Sequence, residues 1–168
     1  ANLRRFKWAI LILTGDEESK FPIETLEEGL RTPVKIWVMS PRPGRHDKYD
    51  KLGSGYPHHM RKLLPSHAPE KTMDWFFSGQ ATDGNPRRQE MVRNFETYLR
   101  HHPKLENGRF AVTDGFTRGL LPKTYYDYLA SSKAAPCPSG PETPDTFRLW
   151  ESLELGCLPI ADMKVDKG

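Results

Sequence analysis

Residues 133 to 161 read KAAPCPSGPETPDTFRLWESLELGCLPIA, and three parts of this stretch follow three different patterns. Lys133 to Cys137 is a short apolar run stopped by Pro138, Ser139 and Gly140, the form of a buried strand. From Pro144 to Leu155 the apolar side chains Phe147, Trp150 and Leu153 recur at helical spacing. Thr143 stands ready as a cap and Pro144 suits the first helical position. Cys157 to Ala161 is again a short apolar run, entered through a turn at Gly156 to Pro159. A strand, a helix and a second strand joined by short loops form a parallel unit.

The pattern repeats outward. Asp74 to Ser78 reads as a strand ending in Gly79, and Asn85 with Pro86 opens a helix whose apolar stripe is Met91, Val92, Phe95, Tyr98 and Leu99. Arg109 to Thr113 is a strand, and Pro122 to Ser131 a helix carrying Tyr125, Tyr126 and Leu129. Four strands alternating with three helices predict an α/β fold, a Rossmann-like, doubly wound parallel sheet. Further out, Lys7 to Thr14 reads as a buried strand, Pro22 to Arg31 as a short helix and Val34 to Met39 as a strand. Between these regions, Ser40 to Thr72 is rich in Pro, Gly, His, Lys and Arg without sustained period, which reads as a loop or linker. The expected organisation is therefore a strand-helix-strand segment at 1–40, a linker at 41–72 and the Rossmann-like domain at 73–168.

Bulk properties exclude several classes. The chain has 168 residues, 36% hydrophobic and 28% charged, enough for a packed core. A net charge of +3 is far from a histone-like balance. The longest apolar run, Trp8 to Leu13, is too short for a membrane span. Cys137 and Cys157 are the two cysteines; they lack metal-ligand spacing, and either buried thiols or a single disulfide accounts for them. The chain starts with Ala and stops soon after a strand, so it is expected to be an excerpt, truncated at its C-terminus.

Ligands of doubly wound sheets sit beyond the carboxyl ends of the strands, where three loops stand out. Gly79 to Arg88 joins a strand to a helix start, which favours an anion. Arg87 and Arg88 add charge able to grip a phosphate through paired hydrogen bonds; a surface arginine pair is the plainer account. In the loop from Pro138 to Thr146, the small residues Ser139 and Gly140 let backbone approach a ligand; an ordinary cap and turn explains them equally. In the helix that follows, Arg148 suits a phosphate and Glu151 two ribose hydroxyls, a carboxylate having two acceptor oxygens. A surface ion pair between them is the alternative.

At this helix the sequence becomes specific. Residues 145 to 160, DTFRLWESLELGCLPI, resemble the exostosin-family pattern of Ser/Thr-x-Arg-Leu-x-Glu-Ala followed by Gly-Cys-Ile-Pro-Val. Tyr126 to Lys133 followed by Cys137-Pro138-Ser139-Gly140 resembles the family's Tyr…Leu…Ser-Lys-Phe…Cys-x-x-Pro-x-Gly stretch. Trp75 to Gly79 with Arg87 and Arg88 resembles its Phe-Phe-x-Gly…Arg stretch, and Thr14 to Glu17 its Ser-Asp-Glu turn. Ala134 replaces the usual Phe, Ser152 the usual Ala, and the Cys137 to Gly140 spacing is compressed. The likeness is close over residues 74–161 and loose over 7–40.

The resemblance implies the C-terminal, donor-binding half of a two-domain glycosyltransferase, with residues 1–40 a remnant of the other domain. It implies transfer with inversion from a nucleotide diphosphate sugar, UDP-linked, to a glycan or other hydroxyl acceptor, without an essential metal or other cofactor. The expected donor-site residues are Gly79, Arg87, Arg88, Ser139, Gly140, Thr146, Arg148 and Glu151. Asp16 or Glu17 is the candidate base for the acceptor proton, a solvated acidic turn being the alternative. Two other classes compete: a non-catalytic nucleotide- or sugar-binding relative, and a nucleic-acid binder using the basic residues at 42–62. The near-balanced charge and the lack of a recognisable module argue against nucleic acid.

Overall fold

The computed structural model describes residues 5–14, 20–30, 32–40, 44, 47–81, 85–105, 107–115, 118–140 and 143–162. The chain forms two units, Ala1–Ser54 and Gly55–Gly168. Both are α/β with parallel strands. Among the described residues no helix is long and apolar enough to cross a membrane.

The first unit holds strand β1 (Ala9–Leu13), helix α1 (Ile23–Gly29), strand β2 (Val34–Met39) and strand β3 (Asp50–Leu52), with sheet order β1-β2-β3. Its core is Ile23, Ile36, Val38 and Tyr49, with Leu11, Leu13 and Val34 packed on it. The expectation of a buried first strand is corrected here. Ile10 and Ile12 are 55% and 54% exposed while Leu11 and Leu13 turn inward, because this apolar cluster covers β1 on one face. β3 lies inside the segment read as linker. It is too short and polar to show a pattern, and is a strand by its pairing, Trp37 with Asp50 and Met39 with Leu52.

The second unit begins with a 3-10 helix at His58–Lys62, also within the segment read as linker, anchored by the buried Met60. Then come β4 (Met73–Gln80), α2 (Pro86–His101), β5 (Gly108–Thr113), α3 (Pro122–Ala130), β6 (Ser132–Cys137), α4 (Phe147–Glu154) and β7 (Leu158–Ala161). Their sheet order is β5-β4-β6-β7. The chain steps from β4 to one side, then crosses back over it to β6 and on to β7. Right-handed crossovers then place α2 on one face and α3 and α4 on the other. Two clusters agree with that. Trp75, Phe95 and Phe110 pack edge-on and tilted at 4.6–5.8 Å between centroids. On the opposite face Phe76, Leu129, Ala135, Cys137 and Cys157 are buried beneath Tyr125, Tyr128, Leu149 and Leu155. This is the Rossmann-like, doubly wound arrangement, and the strand order reverses between β4 and β6, where such sheets open a crevice.

Local chemistry sets the boundaries. Asn85 caps α2 by accepting from the Arg88 N–H at 3.2 Å, with Pro86 in the first turn. α4 is shorter than its sequence pattern: it starts at Phe147, after Thr146, and Thr143 instead donates to the Asp145 carbonyl at 3.1 Å. α4 also turns differently from its apolar periodicity. Phe147 and Leu153 are 43% and 52% exposed, while Leu149 and Leu155 pack on the core and Glu151 and Ser152 are buried. Both cysteines are free, buried thiols. Burial pushes the Cys157 thiol up to about 11.

Candidate functional site

The carboxyl end of β4 is built around a missing side chain. The guanidinium of Arg148, from α4, lies against Gly79, where a Cβ would collide with it. Its Nη2 donates to the Ser78 carbonyl, and its plane sits 4.6 Å from the Phe77 ring centroid. Arg88, from the first turn of α2, turns to the same strand end and donates to the Gln80 carbonyl at 3.4 Å. Two cations therefore converge on three consecutive residues, Ser78 to Gln80.

Their electrostatics are unfavourable as they stand. Burial, and then the neighbouring Arg148 charge, depress the Arg88 guanidinium to about 10. The Nε atoms of Arg88 and Arg148 and the Thr146 hydroxyl are buried with no hydrogen-bond partner among the described residues. Each unmade bond of this kind costs about 1–3 kcal/mol. Asp162, at the end of β7, offsets the Arg88 shift through space only. Its Oδ1 is already taken by the Ser139 N–H at 2.8 Å and the Ser139 hydroxyl at 2.6 Å. An anion with several oxygens suits these orphaned donors.

One turn along α4 from Arg148, Glu151 is 6% exposed. Tyr125 donates to its Oε2 at 2.7 Å and Tyr126 to its Oε1 at 3.1 Å. Behind Tyr126 stands His59, its Nε2 3.4 Å from the Tyr126 hydroxyl. Burial first, then the Glu151 charge, hold the Tyr126 hydroxyl well above the usual phenol range. Burial is also the largest cause of the upward shift of Tyr125. Both phenols thus stay protonated donors.

Of the residues expected from sequence, Gly79, Arg88 and Arg148 come together at the strand end. Thr146 lies at the start of the same helix as Arg148, and its methyl is 3.8 Å from where a Gly140 Cβ would stand. Ser139 and Gly140 spend their backbone N–H groups within the protein, on Asp162 and on the Thr143 carbonyl at 2.8 Å. Arg87 diverges from Arg88. It lines, with Met91, Phe95, Tyr98 and Asp162, an open groove of about 840 Å³ along α2, beside the arginine pair rather than around it. Asp16 and Glu17 lie outside the described residues.

Sequence reasoning missed Tyr125, Tyr126, His59 and Asp162 as site residues. The two tyrosines looked like core, and only their adjacency hinted at hydroxyls aimed at one partner. His59 sits in a patternless segment. No protein-family model matches the chain, and no curated protein matches it either.

Proposed function

We propose that this chain carries the donor-binding part of a glycosyltransferase that moves a sugar from a nucleotide diphosphate sugar, UDP-linked, to a hydroxyl acceptor with inversion. The observation that carries this reading is the pair Arg88 and Arg148, converging on Ser78 to Gln80 at the switch point of a doubly wound sheet, both Nε donors without a partner among the described residues. As an acceptor oxygen attacks the anomeric carbon, charge grows on the departing diphosphate. Two preorganised guanidiniums stabilise that charge and fill the role a divalent metal plays elsewhere. Glu151, one turn deeper, serves the ribose. The exostosin-like pattern over residues 145–160 supports the same assignment. Asp16 or Glu17, outside the described residues, is the candidate base for the acceptor proton.

A second reading, donor binding without transfer, draws on one observation. Glu151 and Asp162 both accept hydrogen bonds from hydroxyls within the protein, an arrangement that suits binding more than proton transfer. Titration calorimetry with uridine diphosphate tests the shared claim of donor binding. Wild type is expected to bind, and Arg148→Ala and Glu151→Ala to bind at least about tenfold more weakly, the worth of one or two charge-assisted hydrogen bonds. No binding by wild type, or unchanged binding by both variants, sinks the assignment. Sugar release from a radiolabelled donor then separates transfer from binding alone.

A further inference from the structure

The buried carboxylate of Glu151 is held by more than its own helix. Its two oxygens each accept one phenol, Tyr125 at 2.7 Å and Tyr126 at 3.1 Å. Both phenols come from adjacent residues of α3. A tyrosine hydroxyl has a single proton. Tyr126 gives that proton to Glu151, so it can only accept from His59, whose Nε2 must carry the hydrogen. The chain of bonds therefore has one direction, His59 to Tyr126 to Glu151, and it fixes the imidazole tautomer. A carboxylate offers about four acceptor positions. The tyrosines use one on each oxygen and, among the described residues, no other donor takes the second, which leaves a spaced pair of acceptors.

We infer that Tyr125 and Tyr126, with His59 behind Tyr126, are positioning residues that set Glu151 to accept two neighbouring hydroxyls, so that the site selects ribonucleotides over 2′-deoxyribonucleotides. The inference rests on the donor-site reading above. A fixed pair of acceptors matches a vicinal diol. A ligand lacking one hydroxyl leaves a desolvated carboxylate lone pair unmade, and sites of this type reject such analogues strongly. A clasp serving only to tie α3 to α4 makes no such discrimination.

The test compares three probes on the full chain: uridine diphosphate, its 2′-deoxy analogue and inorganic pyrophosphate. Wild type is expected to favour the ribonucleotide about tenfold or more over the deoxy form. In the double variant Tyr125→Phe, Tyr126→Phe that preference collapses towards unity while pyrophosphate binds as in wild type. His59→Ala lowers the preference two- to threefold, and His59→Gln, which keeps a donor, restores part of it. If the double variant is unfolded, the two single variants carry the same comparison. An unchanged preference in the tyrosine variants overturns the inference, as does an equal loss of all three probes, which marks a structural tie. Wild type binding pyrophosphate but no ribonucleotide preference overturns it too, and leaves the arginine site standing. Binding of none of the probes by wild type removes the donor-site reading itself, and the inference with it.

Discussion

A methyl group at position 79 would point into the guanidinium of Arg148. The obstacle is the far end of a flexible side chain, so the backbone has no reason to move and the arginine does. Gly79→Ala is therefore expected to change stability by less than about 1 kcal/mol, since a displaced rotamer costs little. It should nevertheless weaken uridine diphosphate binding about tenfold by taking one guanidinium off the Ser78 carbonyl. Chemical denaturation and calorimetry on the same preparation check both halves; a large stability loss with intact binding would contradict the account. At this scale the sequence is informative about residue types and poor about direction. Arg87 and Arg88 are adjacent and look alike in a string. One turns in to Gln80 and the other lines the α2 groove, because successive helical residues point about 100° apart. Glu151 was legible as a candidate carboxylate from its place three residues after Arg148, but not as a buried one. Its tyrosine partners were not, since they lie 25 and 26 residues away and only the α3 crossover brings them close.

Helix α4 shows where periodicity misleads. Its apolar residues at helical spacing, Phe147 and Leu153, are largely exposed, and its buried positions include Glu151 and Ser152. Ser152 donates to the Arg148 carbonyl at 2.7 Å and sits 3.5 Å from the Cys137 Sγ, so a small, self-satisfied polar residue lets the helix approach β6 closely. Hydrophobicity alone assigns such a helix the wrong face, since its inward positions carry the candidate site residues Arg148 and Glu151. Two helix ends, by contrast, were legible, though the start of α4 was not. Asn85 and Pro86 open α2 as expected. Gly156 closes α4 with φ +63°, its N–H bonding to Leu153 O at 3.1 Å and that of Cys157 to Ser152 O at 2.8 Å. These two bonds form a Schellman cap. Nothing crowds a Cβ at 156, so Gly156→Ala isolates the backbone term. Urea denaturation is expected to show a loss of about 1 kcal/mol, and Gly156→Asn a smaller loss, because Asn tolerates the left-handed region better.

Across the whole molecule, the alternation of strands and helices from Met73 onward was the most legible feature, because each strand contains a short apolar run and α2 and α3 open on prolines, with Asn85 capping α2. The segment between the two regular regions was the least legible. It supplies β3, the 3-10 helix with His59, and Lys71, none of which belongs to a repeating pattern. Lys71 bridges two helices. Its ammonium donates to the Ala130 carbonyl and to the Leu155 carbonyl, both at 2.8 Å. These are the last turns of α3 and α4, where a cation is favoured. One side chain thus pins the ends of two helices that meet in the tyrosine–glutamate cluster. In hydrogen–deuterium exchange the amides of α3 and α4 are expected to open as a single cooperative unit. In Lys71→Met the protection of the two helices should separate, with the last turn of each exchanging faster. Unchanged, still coincident protection would mean that the sheet beneath, and not this lysine, sets the time at which the two helices breathe.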